Sequence, residues 1–437
     1  MSCVGVSGAV SDTPHGIISS KCWAGLPDVL KGETMETLTL EMLNEAVRTG
    51  GSANMCERIV LVPAGGVEGV VAPAKYTANG NATYVFEDRI VDGREGSSRV
   101  VLIDSKTSHA NRLEKTITDA MKDGDGVLSM MPRIRVTYET KIAGAKTYFD
   151  NELPHRGFDG HIRVGTHNGE FTSQVETYIQ ARNSTLDNLL PLFELSPVTV
   201  IFGGWDSTRS RNQLRIPSVF TGEIIGVLAN QNSRDDDLSI HRAGARVDPV
   251  EASVSFPDKN DRKSILNAAV DVSAGAAKSF ERDGKGSTIG LGAIPPSADK
   301  KVLDGVAISK AICIHVLSFA TLRTFRFGKG KEGDEAIRAL IAAVLLRAMA
   351  GYNADPVLRA NCFLTETAPA SMTLDKRFGN KEELQPLTIE TAEQLLQDAY
   401  NQAHEKAGIM WEGQTFEVTG NPEVINNSSA EENEGTN

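Results

Sequence analysis

A continuous apolar run that leads directly into an amphipathic helix is the feature that most constrains the fold of this chain. Val100–Ile103 is uniformly apolar, which is the pattern of a strand covered on both faces. The segment from Ala110 to Met121 places apolar residues at helical spacing, and the intervening DSKTS contains several N-capping residue types. A helix N-terminus favours anions, and Lys106 and Arg112 add positive charge here. The sequence therefore predicts a strand, a tight turn and a helix whose start suits an anion.

Strand and helix patterns are mixed along the rest of the chain. PRIRVTYET (132–140) and PVTVIF (197–202) are strand-like, whereas the segment from Asp334 to Gly351 and the segment between a Thr388 cap and Gly408 are helical. Sequential strand pairs are common, and clean alternation of strand and helix is rare. These patterns favour an α+β fold over a doubly wound parallel sheet.

Composition is that of a soluble globular protein without a strongly cationic surface. The chain has 437 residues, of which 40% are hydrophobic and 23% charged, with a formal net charge of −12. Nucleic-acid binding therefore requires a local basic stripe, because bulk attraction is absent. The five cysteines are widely spaced, no export signal is evident, and the longest apolar run, Ala339–Leu346, is far shorter than the roughly 20 residues of a membrane span. We expect a cytoplasmic protein with no membrane association.

Glycine-rich segments do not form a recognisable nucleotide loop. RDGKGST (282–288) lacks the glycine spacing of a phosphate loop, and GLGAIPP (290–296) lacks the third glycine of a dinucleotide fingerprint. No nucleophile elbow is found, and the default interpretation of Cys56 and Cys362 is two buried thiols. The sequence predicts no catalytic residue and no cofactor.

Metal-ligand patterns are also weak. His155, His161 and His167 recur six residues apart, a spacing that fits no common zinc pattern. The consecutive carboxylates Asp235–Asp237 point to different sides, so at most two could share an ion. We interpret these residues as solvated polar loops and predict no metal.

Basic segments interleaved with aromatic residues carry the strongest functional signal. GGWDSTRSRNQLRIP (203–217) combines an aromatic side chain with three arginines and several neutral donors, and HRAGARVD (241–248) and TLRTFRFGKGKEG (321–333) add further cations. Arginine forks match phosphates, and aromatic rings stack on unpaired bases. Together with the helix start near Lys106, these segments indicate a groove for a polyanion, with single-stranded RNA as the favoured ligand.

Several of these segments, in this order, resemble a known family. LIDSKTSHANRLEK, FGGWDSTRSRNQLRIPSVFTGEI, HRAGARVDPV, GLGAIPP and LRANCFL are similar to the backbone subunit of the type I-G (formerly I-U) CRISPR interference complex, a member of the seventh Cas family within the repeat-associated mysterious protein superfamily. The resemblance covers about residues 55 to 415. None of these motifs is as stringent as a catalytic signature.

The resemblance implies a fold and a role. The fold would be a modified RNA-recognition-motif (ferredoxin-like) palm at 55–415, with a β-hairpin thumb or insertion within 225–300 and helical insertions. Residues 1–54 would be an N-terminal extension of unknown role, and 416–437 an acidic disordered tail. Copies of a non-catalytic subunit would polymerise as a helical filament along CRISPR guide RNA, together with other Cascade subunits. The guide would pair with target DNA, and a helicase-nuclease recruited in trans would cut it.

The resemblance also transfers RNA contacts to residues that match its motifs. Those candidates are Lys106, Ser108, Asn111, Arg112, Trp205, Ser207, Arg209, Arg211 and Arg215, with Arg242 and Arg246 where a thumb would lie. The alternative is an RNA endonuclease of the same superfamily that uses His155, His161 or Asp235–Asp237, and a third hypothesis is a metabolic enzyme that binds no nucleic acid. In the leading hypothesis, the scattered arginines converge into one cationic track.

Overall fold

The computed structural model of the chain describes residues 35–78, 81–140, 144–211, 213–244, 254–269, 272–292, 296–298 and 302–426. Internal contacts divide the chain into two units, Met1–Met35 and Glu36–Asn437. The first unit lies outside the described residues except for Met35.

Helices and strands alternate irregularly through the second unit. The α-helices are α1 (Leu40–Val47), α2 (Lys106–Asp123), α3 (Gly126–Ser129), α4 (Gly160–Arg163), α5 (Glu176–Arg182), α6 (Leu190–Leu195), α7 (Pro197–Phe202), α8 (Lys259–Ala268), α9 (Ala274–Asp283), α10 (Phe319–Leu322), α11 (Gly330–Ala354), α12 (Ile389–Ala407) and α13 (Pro422–Asn426). The strands are β1 (Asn54–Pro63), β2 (Val70–Val71), β3 (Tyr76–Ala78), β4 (Asn81–Thr83), β5 (Phe86–Ile90), β6 (Ser97–Asp104), β7 (Arg133–Thr140), β8 (Gly144–Phe149), β9 (Thr166–His167), β10 (Glu170–Phe171), β11 (Gly204–Trp205), β12 (Arg215–Ile216), β13 (Phe220–Leu228), β14 (Ile240–His241), β15 (Gly305–Ser318), β16 (Leu364–Glu366), β17 (Ser371–Asp375), β18 (Lys381–Leu384) and β19 (Thr415–Thr419).

Antiparallel pairing organises the main sheet, whose strand order is β18-β17-β1-β15-β13-β6-β5. The central strands β17, β1, β15 and β13 are antiparallel to their neighbours. The chain visits this group in the order β1, α2, β13, β15, α11, β17. Buried and half-buried residues alternate along the whole of β1, so one face of the sheet is covered.

Helices α2 and α11 cover that face and pack against each other. Leu113 and Ile117 of α2 belong to the same buried cluster as Leu340 of α11 and Met55 of β1. Helix α11 is buried along most of its length because it also packs against α1 and α12. The polar side chains that point inward from α2 therefore lie between helix and sheet, where they need partners.

A second sheet contains β7 and β8, which follow α2 and α3 in the chain, together with β9, β10 and β19. Its order is β10-β9-β19-β7-β8, in which β19 is parallel to β7. The β11–β12 pair carries the tryptophan segment, with Trp205 opposite Arg215. None of the helices in the described ranges combines the length and the hydrophobicity that a membrane span requires.

The observed elements confirm the predicted α+β class and several helix ends. Thr388 caps α12, which ends at the left-handed Gly408, as the sequence pattern indicates. The prediction that PVTVIF forms a strand is wrong: Pro197–Phe202 forms α7, and all of its residues are buried. A short apolar run that is covered all round has no periodicity by which strand and helix can be distinguished.

The ordered fold extends past both boundaries expected for the palm. Helix α1, capped by Thr39, contributes Leu43 to the main core, and Thr415–Thr419 pairs with β7. Residues 427–437 of the expected acidic tail lie outside the described residues. The connection between β13 and β15 spans 229–304 and includes α8 and α9, close to the range expected for a thumb or insertion.

Candidate functional site

The start of α2 already holds an anion, and that anion belongs to the chain. Asp104, at the end of β6, is fully buried. Its carboxylate accepts hydrogen bonds from Ser108 Oγ at 2.7 Å and from Arg112 Nε at 2.8 Å and Nη2 at 3.1 Å. Burial alone would raise the pKa of Asp104, but hydrogen bonds from His109 and Arg112 outweigh it and lower that pKa to about 2. Ser108 and Arg112, both predicted RNA contacts, therefore bind this carboxylate.

A cavity of about 530 Å³ opens beside the same helix start. Lys75 and Arg359 line it together with Ser108 and Arg112. Arg359 lies 3.4 Å from the Asp104 carboxylate, so it shares this counterion with Arg112. Lys75 and Arg359 were not among the predicted contacts, because each is distant in sequence from α2. Lys106 is exposed at the first turn of α2.

The tryptophan segment is organised differently, because its aromatic ring is open to solvent. Trp205 is 48% exposed, and the Arg215 guanidinium lies 4.5 Å from its ring centre. A cavity of about 330 Å³ lies beside it. The polar and aromatic residues that line this cavity are His155, Phe158, Asp159, His161, Arg163, Trp205, Ser207 and Thr208. We call the edge of this cavity, formed by Trp205 with Arg163, Ser207, Thr208 and the adjacent Arg215, the rim. The rim offers an aromatic surface with cationic and neutral donors.

The remaining predicted residues have varied surroundings. Arg209 donates to the Arg182 carbonyl at 2.6 Å and to Asn183 Oδ1, whereas Arg211 is exposed. Arg242 donates to Asp237 at 3.1 Å and to the Val302 carbonyl at 3.2 Å. The predicted contact at Arg246 lies outside the described residues.

Two of the predicted groups line adjoining cavities. Asn111 and Lys115 line a cavity of about 410 Å³ that shares Pro154 with the Trp205 cavity. Arg112 instead faces the cavity on the other side of the helix start. A single cationic track through Arg112 and Arg209 stays a prediction.

In the third basic segment, both phenylalanines and one arginine have structural roles. Phe325 and Phe327 are fully buried and cannot stack on bases. Arg323 donates to the Ala46 carbonyl at 2.7 Å and to the Ser52 carbonyl at 2.9 Å. This arginine therefore fastens the end of α1 to the core.

Three residues of the alternative nuclease hypothesis have structural partners. Asp236 pairs with Arg99 at 2.6 Å, and Asp235 caps a 3₁₀ turn. His161 Nδ1 lies 2.6 Å from Tyr138 Oη. These side chains already have partners within the chain, and the nuclease alternative is not favoured.

A cluster that the sequence interpretation missed lies between α2 and the sheet. His109 of α2 and His315 of β15 are fully buried, and their Nε2 atoms lie 2.7 Å apart. Cys313 Sγ lies 3.4 Å from His315 Nε2 and 4.0 Å from His109 Nε2. A Cβ at Gly222 would lie 2.5 Å from the His109 ring, so glycine is required there for close approach.

Each imidazole of this cluster is held by a carboxylate. His109 Nδ1 lies 3.1 Å from Asp104 Oδ2, and His315 Nδ1 lies 2.7 Å from Glu57 Oε2. Burial would lower the pKa of His315, but Cys313 and Glu57 raise it to about 10. Burial raises the pKa of the Cys313 thiol, but the neighbouring imidazoles outweigh it and lower that pKa to about 7.

A sequence signal for this cluster does exist. ICIHV contains Cys313-x-His315, and residues two apart on a strand share one face. The third member, His109, lies in the segment LIDSKTSHANRLEK, five residues after the strand end at Asp104. The pairing of β15 with β13, and of β13 with β6, brings them together, and local sequence does not reveal that pairing.

The site and fold define an α+β protein with an exposed aromatic–arginine rim and a buried histidine cluster. Residues 56–231 match a family model described as CRISPR-associated protein GSU0053, which is less than half of the chain. That segment contains Trp205, Arg215 and the start of α2. A search of curated proteins found no match. The similarity supports a CRISPR-associated protein with a role in CRISPR defence.

Proposed function

We propose that this chain is a non-catalytic, RNA-binding backbone subunit of a type I CRISPR interference complex, of the I-G kind. The observation that carries the proposal is the exposed Trp205 with Arg215 stacked on it, within the segment that matches the CRISPR-associated family. Unpaired bases stack on exposed aromatic rings, and arginine adds both charge and a second planar surface.

The topology of the main sheet supports an RNA-recognition type of palm. The spatial order β17-β1-β15-β13, visited as β1, α2, β13, β15, α11 and β17, is the β-α-β-β-α-β arrangement of ferredoxin-like folds. The 229–304 connection joins β13 and β15, which are the second and third strands of this arrangement in chain order. A thumb would project from this connection. A fold alone does not define function, so the support for RNA binding comes from the rim and the family match.

The chemistry of the rim suits a guide backbone. Arg163, Ser207 and Thr208 line the cavity beside Trp205, and Arg163 Nη1 donates to Thr208 Oγ1. Exposed Arg211 follows in the same segment. Neutral donors and arginines can bind phosphate oxygens in any sequence context, so we expect little base preference.

The adjoining cavity could continue the path. Asn111 and Lys115 line it, and exposed Lys106 and Thr107 begin the same helix. Several copies side by side would extend such a path along the guide. In this proposal the guide reads target DNA by base pairing, other Cascade subunits complete the complex, and a helicase-nuclease recruited in trans cuts the target.

Binding of fluorescently labelled single-stranded guide RNA tests the proposal. We expect Arg211→Glu to weaken RNA affinity by about tenfold or more, because it removes one charge-assisted contact and adds repulsion. Arg377→Glu is the matched control, because Arg377 is also an exposed arginine and lies in the turn between β17 and β18. Affinity should fall linearly with salt concentration on logarithmic axes.

Equal affinities of Arg211→Glu and the wild type, or affinity that is independent of salt, would contradict the proposal. The nuclease alternative has a separate readout. Metal-dependent RNA cleavage that disappears in Asp236→Ala would establish it instead.

A further inference from the structure

The buried histidine pair contains an electrostatic conflict. Ionised Asp104 and Glu57 can only accept hydrogen bonds, so the Nδ1 atoms of His109 and His315 must both carry protons. A neutral imidazole with its proton on Nδ1 has a lone pair on Nε2. The two Nε2 atoms face each other at 2.7 Å, so two lone pairs repel unless a cation lies against both. That cation is either a shared proton or a metal ion.

Cys313 distinguishes the two possibilities, because its sulfur provides a third donor at the same point. The two nitrogens and the sulfur lie within 4.8 Å of one another. Zinc bonds of 2.0–2.3 Å in a tetrahedron place sulfur and nitrogen about 3.5 Å apart and two nitrogens about 3.3 Å apart. The observed sulfur–nitrogen separations of 3.4 and 4.0 Å bracket that value, and the nitrogens need to separate by only about 0.6 Å.

The second layer of contacts is that of a metal site. Metal-ligating histidines usually donate their other ring N–H to a carboxylate, which fixes ring orientation. Both imidazoles have such a carboxylate here. Glu57 is held in turn by Asn353 Nδ2 at 2.9 Å, and Asp104 by Arg112. A histidine pair that only filled space would not need two anchored carboxylates in the protein interior.

A cavity next to Cys313 leaves room for a further ligand on one side of the cluster. A cavity of about 320 Å³ is lined by Cys313, Tyr352 and Asn353. The Tyr352 ring lies edge-on to His109, with centroids 4.9 Å apart. Its buried hydroxyl has no hydrogen-bond partner in the described part of the chain, and neither does Asn353 Oδ1. Two unpartnered buried oxygens on residues that line the same cavity as Cys313 are an independent sign that a further polar group belongs there.

We propose that His109 Nε2, His315 Nε2 and Cys313 Sγ bind a zinc ion, with a fourth ligand supplied from the Tyr352 side. Two imidazoles and one thiolate favour zinc over magnesium or calcium, which prefer oxygen ligands. The ion joins α2 to β15 across the core of the palm. The inference does not depend on RNA binding, and it differs from the sequence-based expectation of no metal.

Metal content is the first measurement. The full chain, purified without an affinity tag from zinc-supplemented culture and then dialysed, should contain about one zinc per chain by mass spectrometry of the elements. Replacement by cobalt(II) should give a thiolate-to-cobalt charge-transfer band and the intense visible bands of a tetrahedral ion. A chelator should lower the melting temperature, and zinc should restore it.

Matched cysteine variants locate the ion. Cys313→Ser should lose most of the zinc and the charge-transfer band, whereas Cys362→Ser should keep both, because Cys362 is equally buried but outside the cluster. If Cys313→Ser does not fold, the charge-transfer band of the cobalt-loaded wild type decides the matter. Absence of stoichiometric metal after reconstitution, or metal content unchanged by Cys313→Ser, would overturn the proposal and leave a shared proton between the histidines.

Discussion

The start of α2 and the β11–β12 pair, which we call the tryptophan hairpin, resemble each other in sequence. They differ in what their arginines contact. In both segments, arginines follow short polar side chains within a few residues. Arg112 is paired with a fully buried carboxylate and two carbonyls, whereas Arg215 lies on an exposed ring. The difference teaches that the number of arginines does not locate a polyanion site. What matters is whether the fold supplies a counterion of its own.

A second interior pair makes the contrast stronger and joins the two regions. Glu114 of α2 is almost fully buried and accepts a two-pronged hydrogen bond from Arg156. Arg156 also donates to the Gly203 carbonyl at 3.1 Å, just before the tryptophan hairpin. Arg156 therefore fixes where that hairpin leaves the core.

Removing this interior arginine should give the largest effect on stability. Arg156→Ala leaves Glu114 buried without its counterion, and we expect a loss of about 4 kcal/mol in the free energy of unfolding. The exposed Arg211→Ala should change it by less than about 0.5 kcal/mol. Urea unfolding of both variants checks the comparison, and similar losses in the two would show that the interior and the rim do not differ as the structure indicates.

Another interior carboxylate, Asp150, should make stability depend on pH. Burial raises the pKa of Asp150 to about 7, although Ser196 Oγ and the Ile134 N–H donate to it. Because this folded-state pKa lies above the unfolded value, its stabilising contribution is complete below about pH 4 and is lost as pH rises through about 7. The loss should be on the order of 4 kcal/mol, because each unit of pKa shift corresponds to about 1.4 kcal/mol.

The control for this pH dependence is Asp150→Asn, which cannot titrate. Chemical denaturation between about pH 4 and 8 should give a flatter stability profile for this variant than for the wild type. Parallel profiles would show that Asp150 is ionised in the folded protein throughout this range.

Sequence patterns predicted local features well, because capping and periodicity are local. The strand-to-helix turn at Ser105 and the ends of α12 follow from neighbouring residues. The sequence patterns could not reveal that Asp104 neutralises Arg112. An arginine near a helix start does not show whether its partner is a side chain of the same protein or a ligand. Nor could the patterns reveal the histidine cluster, since β15 lies about two hundred residues after α2 and reaches it only through strand pairing.

The exposed aromatic ring should affect RNA affinity and leave stability unchanged. Trp205→Ala should weaken binding of single-stranded RNA by about 2 kcal/mol, the usual contribution of one stacked base. Trp205→Phe should retain much of the affinity, because it preserves an aromatic surface. Circular dichroism melting should be unchanged in both, and a large fall in melting temperature for Trp205→Ala would place the ring among the structural residues instead.

The smallest effect should come from the arginine that stacks on this ring. In the free protein the Arg215–Trp205 contact is solvent-exposed, so Arg215→Ala should lower stability by no more than about 1 kcal/mol. Its effect on RNA affinity should depend on the ring. If Arg215 acts by holding Trp205 ready for a base, the Trp205→Ala, Arg215→Ala double variant should bind RNA about as weakly as Trp205→Ala alone. Additive losses in this double-mutant cycle would instead mean that Arg215 contacts the phosphate backbone independently of Trp205. The exposed segment would then bind RNA through an arginine as well as through a ring, whereas the arginine at the start of α2 is bound to the chain's own carboxylate.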